Sequence, residues 1–339
     1  MNFHSIKNKV IIIAEAGVNH NGKLKNALKM VDLASKAKAD FIKFQTFDPE
    51  SLANADLGLA KYQKNFSKKN NHLSMLKKLS LSENDFKKIL ERCKKKKINF
   101  LSSPFDIKSI KLLKNLKINT FKIPSGQIND IPYLQYLGSL KKKIILSTGM
   151  SSINDIKNIL NILTKQGTKR KHIQVLHCTT QYPADSDKLN LRSIQFIRDK
   201  LIVPVGYSDH SLGYEASLVA IGLGARIIEK HFTLNKKQKG PDHKFSLSPK
   251  ELFEFIKKIR NIEKSLGKYL KQPQKKELLN LKFVRKKIIA QKDIFTGEIF
   301  TDNNIITKRS SRGLSASYWS KIIGTRAKKE FKKNQAIQL

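Results

Sequence analysis

Residues 203–210 read VPVGYSDH, and residues 225–234 read ARIIEKHFTL. Each starts as a short, largely β-branched run. Each ends in hydrogen-bonding side chains: Ser208, Asp209 and His210 in the first, Glu229, Lys230 and His231 in the second. Short apolar runs bounded by turn residues read as strands buried on both faces. Working outward, the same figure returns in KVIIIAEAG (9–17), DFIKFQTF (40–47), INFLSSPF (98–105), TFKIPSG (120–126), KIILSTG (143–149) and IQVLHCTT (173–180). The apolar parts are nearly continuous rather than alternating, as in parallel strands covered by helices.

Helical patterns fill the gaps. KLKNALKMVDLASKAKA (23–39), SENDFKKILERCKKKK (82–97), IKSIKLLKNLK (107–117), SINDIKNILNILTKQG (152–167) and SPKELFEFIKKIRNIEKSLG (248–267) repeat apolar residues at three- and four-residue spacing. Several open on Ser, which caps a first turn. Eight strand–helix beats over residues 9–266 predict an α/β fold, a (β/α)8 TIM barrel; an open doubly wound sheet is the alternative. Residues 1–266 are therefore assigned to a barrel domain and the polar, basic stretch 267–282 to a linker with some helix. Residues 283–339, with short β-like pieces broken by turn residues, are assigned to a small, mostly β domain that packs Trp319.

Composition narrows the function classes. The chain has 339 residues, 40% of them hydrophobic, enough for a sizeable core. No apolar run approaches the roughly 18 residues that span a membrane. The N-terminus lacks the apolar core and cleavage site of a signal peptide. Cys93 and Cys178 stand in unrelated patterns, so no disulfide framework is expected and a cytoplasmic setting is the simplest. The net charge of +40 suggests polyanion binding, but the lysines occur on nearly every segment and gather in no single arm. The expectation is therefore no nucleic acid and no membrane, with a positive field that attracts anionic substrates.

In a barrel of this kind, chemistry sits at the C-terminal strand ends. His210 and His231 end adjacent strands, and two neutral imidazoles there can share a divalent metal with positions left for water and substrate. Lys43, Lys122, Ser103, Ser125 and Ser147 end other strands and form a candidate anion site. Lys43 and Lys122 lie inside apolar strands, where a lysine needs a partner. Glu15 is either a general acid/base or the ion-pair partner of a strand lysine. His20 reads as a loop residue, Cys178 as core, and Asp242 as part of a polar loop able to reach over the mouth.

These pieces together resemble the sialic acid synthase family, whose members make nine-carbon α-keto acid sugars. The matching stretches are IIAEAGVNHNG (12–22), FIKFQTF (41–47), FLSSPFD (100–106), FKIPSG (121–126), IILSTGM (144–150), LHCTTQYPA (176–184), GYSDHSLG (206–213), EKHFTL (229–234) and GPDHKFSL (240–247). The C-terminal segment resembles the antifreeze-like (SAF) domain of the same enzymes. The resemblance implies that phosphoenolpyruvate condenses with an open-chain N-acylated mannose-type sugar: its C3 attacks the aldehyde, water adds at C2, and phosphate departs. It implies Glu15, His210 and His231 as catalytic residues. His210 and His231 would hold a divalent ion, manganese foremost, with magnesium or cobalt as alternatives. Lys43, Ser103, Lys122, Ser125, Ser147 and Thr180 would bind phosphoenolpyruvate. Gln45, Gln127, Tyr182 and Asp242 would face the sugar. Arg309 would contact an acetamido group from the partner subunit of a domain-swapped homodimer. Three positions depart from the family pattern: Gln127 and Gln181 replace glutamates, and Ser310-Ser311-Arg312-Gly313 replaces Pro-Gly-Asn-Gly. The expected activity is N-acetylneuraminate synthase. N,N'-diacetyllegionaminate or pseudaminate synthesis is the alternative, and a metal-dependent aldolase that releases no phosphate is a more distant one.

Overall fold

The computed structural model describes residues 9–54, 56–59 and 71–338. Residues 1–8, part of the stretch read as lacking a signal peptide, lie outside the described residues. The chain divides into two compact units, Met1–Gly267 and Lys268–Leu339.

In the first unit the strands are β1 Ile11–Gly17, β2 Phe41–Thr46, β3 Asn99–Pro104, β4 Thr120–Ile123, β5 Lys143–Ser147, β6 Ile173–Cys178, β7 Val205–Asp209 and β8 Ile227–His231. Their order is β3-β2-β1-β8-β7-β6-β5-β4, all parallel. The first strand pairs with the last, and β3 lies against β4, so the ring closes as a (β/α)8 barrel rather than an open sheet.

Helices cover the outside. Those at Glu83–Lys95, Ile153–Lys165 and Pro249–Leu266 begin with reciprocal capping boxes, Ser82 with Asp85, Ser152 with Asp155 and Ser248 with Glu251. Each such cap is worth about 1 kcal/mol. Ile153–Lys165 buries Ile156, Ile159, Leu160 and Leu163, one stripe of the 3.6-residue period.

The strands obey a period of two, and this positions the site. Ile12, Ala14, Ile42, Phe44, Phe121 and Ile123 face outward into the helix layer. Their alternates Ile11, Ile13, Phe41, Leu101, Ile145, Leu176 and Ile227 fill the barrel as a separate apolar cluster. The matching position on β7 is Gly206, where a Cβ would stand 2.5 Å from the Ile227 carbonyl oxygen and 2.6 Å from Leu176 Cδ2. The interior there has no room for a side chain.

The second unit pairs β9 Lys286–Ala290 antiparallel with β10 Ile305–Arg309. Isolated bridges such as Ile294 to Phe331 and Ile289 to Ala336 complete a small β body around Ile288, Phe300, Ile305, Ile322, Phe331 and Ile337. Trp319 packs against this core. A helix at Lys275–Val284 occupies much of the stretch read as linker. Among the described residues no helix is long and apolar enough to cross a membrane.

Candidate active site

One residue up the inner face from the apolar filling, every strand contributes a polar or thiol side chain. These are Glu15, Lys43, Ser103, Lys122, Ser147, Cys178, Ser208 and Glu229, from β1 to β8 in turn, all buried. Strand register sets Glu15 opposite Lys43 on one side and His231 on the other, and Ser208 opposite Glu229. Lys43 Nζ lies 3.0 Å from Glu15 Oε1 and 3.6 Å from Glu229 Oε1, and it donates to Ser103 Oγ at 3.1 Å. Lys122 Nζ donates to Glu229 Oε1 at 3.2 Å, and Ser208 Oγ to the same oxygen at 3.0 Å. Both lysines therefore have the partners that burial demands.

The two carboxylates are driven apart in acidity. Burial pushes Glu15 above the usual carboxylate range, and Lys43 only partly offsets it. Burial opposes the charge on Glu229 too, but Lys122 and then Lys43 outweigh it and bring the group well below that range. Burial lowers Lys122, whereas in Lys43 the pull of Glu15 and Glu229 overcomes burial and raises it. Two buried carboxyl groups with opposed acidities can divide proton-holding and charge-balancing between them. One oxygen of each, Glu15 Oε2 and Glu229 Oε2, is buried without a hydrogen-bond partner among the described residues.

Above this layer stands a cavity of about 210 Å3. Its wall brings together Lys43, Ser103, Lys122, Ser125, Ser147 and Thr180, the whole expected anion set, with His210 and His231. Ser125 Oγ accepts from the Gly149 amide at 2.9 Å and lies 3.3 Å from Cys178 Sγ. A Cβ on Gly149 would fall 2.0 Å from Thr180 Oγ1, so only glycine leaves this wall intact. A larger cleft of about 610 Å3 beside Ser125 and Met150 has Asp155 as its only ionisable lining group. That carboxylate is already spent on the amide and hydroxyl of Ser152.

The imidazoles of His210 and His231 have centroids 5.7 Å apart, and Tyr182 lies against His210 at 4.2 Å. His210 Nδ1 meets the Thr179 carbonyl at 2.7 Å. A carbonyl only accepts, so Nδ1 carries the proton and Nε2 keeps its lone pair. His231 Nδ1 is buried without a hydrogen-bond partner among the described residues, 3.8 Å from Asp242 Oδ2. Burial holds His210 down to about 4 and His231 well below the ordinary value, so both rings are neutral, as ligands must be. Among the described residues no cluster of three or more His, Cys, Asp or Glu groups forms a metal cage. The imidazole pair fits a divalent ion that keeps positions open to water and substrate.

The sugar-facing candidates divide. Gln45 and Tyr182 line the polar cavity and an adjoining chamber of about 450 Å3, whereas Gln127 and Asp242 line the chamber alone. Burial and then Glu15 push Asp242 up to about 7. Its loop is tied down: Ser246 Oγ donates to the Asp242 carbonyl at 2.6 Å, and Asn19 Nδ2 donates to Ser246 Oγ at 2.9 Å. His243 contacts Thr233 Oγ1 at 2.6 Å and Asn21 Oδ1 at 3.1 Å. The NHNG segment is thus the anchor of this loop. His20, expected as a loop residue, is buried and accepts the Gly22 amide. Gln181 Nε2 donates to Asp185 Oδ2 at 2.7 Å on the exposed surface. Arg309 lies in the second unit, exposed at the end of β10.

Two further differences follow from the two-residue period. Glu15 is not on the cavity wall; Glu229 is. Glu229, one of the polar strand ends expected at the mouth, precedes His231 by two residues and so shares its face. Asp209, read among the mouth-facing strand ends, points outward, where it meets Lys230 and Ser217.

Comparison with known proteins places this geometry. Residues 30–271 match the model of the NeuB family, and residues 285–339 match the SAF domain. The chain is 45% identical to the N,N'-diacetyllegionaminic acid synthase of Campylobacter jejuni, over 97% of this chain and 99% of that protein. It is 39% identical to the protein of the same name from Legionella pneumophila, over 93% and 89%. It is 31% identical to human N-acetylneuraminate-9-phosphate synthase, over 88% and 82%. A crystal structure of the N-acetylneuraminic acid synthetase from Leptospira borgpetersenii superposes with a TM-score of 0.72 at 35% identity, covering 81% of this chain and 91% of that one.

Proposed function

The chain belongs to the NeuB family, and from that premise we propose that it condenses phosphoenolpyruvate with an open-chain 2,4-diacetamido-trideoxy sugar to give an N,N'-diacetyllegionaminate-type α-keto acid and phosphate. This reverses the order expected from sequence, which set N-acetylneuraminate first. The legionaminic acid synthases stand at 45% and 39% identity, against 31% for the human N-acetylneuraminate-9-phosphate synthase.

The observation that carries the reading is the single cavity shared by Lys43, Lys122 and the four hydroxyls with both imidazoles. The lysines and hydroxyls suit the phosphate and carboxylate of the enol. Held beside the aldehyde, the enol loses little further entropy on reaction. Its C3 bonds to the aldehyde carbon, whose oxygen takes a proton. A water oxygen bonds to C2 and loses one proton, which balances the one taken up by the aldehyde oxygen; the C2–oxygen bond to phosphate then breaks as the new hydroxyl passes its remaining proton to the departing phosphate and becomes the ketone. A divalent ion on His210 and His231, manganese foremost and magnesium or cobalt otherwise, would supply Lewis-acid polarisation of the aldehyde oxygen. Glu229, ionised on the cavity wall, balances the positive charge of the lysines and can stabilise positive charge at C2. Glu15, beneath Lys43, acts as a positioning residue for that lysine. Arg309 is assigned to an acetamido group across a domain-swapped homodimer.

The test is acceptor-dependent phosphate release from phosphoenolpyruvate, with the keto acid product identified by mass. Release that needs an amino-sugar acceptor is expected. Carbon–carbon bond formation from pyruvate without phosphate would instead support the aldolase.

A further inference from the structure

The chamber beside the polar cavity is about 450 Å3, roughly twice the latter's 210 Å3, and the two share Gln45, Phe105, Gly126, Tyr182 and His231. Gln45, Gln127, Tyr182 and Asp242 give it polar groups, and the rest of its wall is largely hydrocarbon. Phe47, Leu52, Met75, Leu76 and Leu79 form that side. Met75 and Leu79 sit on the helix His72–Leu79 and pack with Val18 and Leu59 as a hydrophobic cluster of their own, with Phe47 against it. Phe47 meets Phe105 edge-on, centroids 6.4 Å apart at 85°. The apolar wall is therefore built from packed side chains. The first residue of that helix, His72, supplies an exception: its Nδ1 is buried without a hydrogen-bond partner among the described residues.

We propose that this chamber receives the end of the acceptor sugar remote from its aldehyde and selects methyl-bearing substituents, an acyl methyl and a deoxygenated terminal carbon, over a hydroxylated tail. His72 is the polar hook for an acyl amide. The proposal rests on the synthase reading and adds the residues that set its acceptor class. An acceptor whose carbonyl oxygen lies beside His231 extends through the shared opening towards Leu76. A methyl placed against Leu52 and Leu76 leaves water for an apolar wall, whereas a hydroxyl placed against the same two residues gives up its water to face hydrocarbon. Apolar pockets discriminate by about 10- to 200-fold for such differences, which sets the expected scale.

The experiment measures kcat/KM for phosphate release with two acceptors, N-acetylmannosamine and 2,4-diacetamido-2,4,6-trideoxymannose. It compares the full chain with Leu76→Asn and Leu52→Asn, the latter on a half-buried residue at the end of a short helix. The wild type should favour the trideoxy acceptor by about 100-fold. Each variant should cut that ratio at least about tenfold through acceptor KM, with the KM for phosphoenolpyruvate unchanged. Circular dichroism confirms that the variants fold. A ratio that stays put in both variants while turnover continues overturns this proposal and leaves the synthase reading intact. A wild type that favours the hydroxylated acceptor overturns this proposal together with the trideoxy acceptor of the proposed function, leaving only the phosphate-releasing condensation. Absence of phosphate release with either sugar overturns both.

Discussion

Lys230 Nζ lies 3.0 Å from Asp209 Oδ2 on the outer face of the barrel, and these two residues immediately precede His231 and His210. They are register partners between β7 and β8. Asp209 also accepts from the Ser211 amide and hydroxyl and from Ser217, while Lys230 donates to the Ser211 carbonyl. The pair thus fastens, from behind, the two strand ends that present the imidazoles. Removing one partner from a buried ion pair costs about 3–5 kcal/mol, because the other charge is stranded. Asp209→Asn and Lys230→Met should each lose that much in urea unfolding. The double variant should lose clearly less than the sum, and additive losses would contradict the coupling.

Lys122 should govern affinity for the phosphorylated substrate. It contributes a charge on the cavity wall and has Glu229 as its ion-pair partner, whereas Lys43 is shared among Glu15, Glu229 and Ser103. A hydrogen bond to a charged group is worth about 1.5–3 kcal/mol, roughly a ten- to hundredfold effect. Lys122→Met is therefore expected to raise the KM for phosphoenolpyruvate by that factor while acceptor KM moves little. An unchanged phosphoenolpyruvate KM in steady-state kinetics would remove Lys122 from the anion site.

His210→Ala and His231→Ala should each abolish turnover without unfolding the barrel. Among the described residues His210 makes one side-chain hydrogen bond, to the Thr179 carbonyl, so little structure depends on it. Calorimetric titration with manganese should show one site in the wild type and none in either variant. Full activity in a chelating buffer would contradict the metal role.

Acid should destabilise the first unit partly through His20. Burial lowers its pKa from 6.5 to about 4, so the folded chain refuses a proton that the unfolded chain accepts. Stability attributable to this group is intact above pH 6.5, falls as pH drops from 6.5 towards 4, and levels off below. Urea midpoints for wild type and His20→Gln should diverge in their pH slopes across that window. Parallel slopes would show that folding leaves the pKa of His20 unshifted.

Most of the fold could be read from the sequence because parallel strands leave nearly continuous apolar runs that hide nothing. The candidate site was partly legible for the same reason: strand ends are easy to find. What could not be read by eye was facing. Ser102 and Ser103 are indistinguishable in LSSP, yet Ser102 bonds outward to Thr46 and the Phe44 carbonyl while Ser103 meets Lys43. A one-residue offset decides between core and chemistry. Asp209 was misplaced for that reason, and Glu229, read as a polar strand end, was given no role; both follow once Ile227 is set facing inward. The chamber left no local motif at all, since its walls are gathered from the ends of β2 and β8 and the segments after β1, β2, β3, β4, β6 and β8.

The seven-residue hydrocarbon cluster inside the barrel has one last consequence. It fills the lower end of the barrel, so among the described residues the proposed reaction chamber opens only upward. Every proton that the proposed condensation would take up or give off would then travel through the upper opening or be stored on the carboxyl and amine groups lying directly on the plug. Deuterium exchange of the bound reactants should accordingly track how tightly that single entrance is occupied.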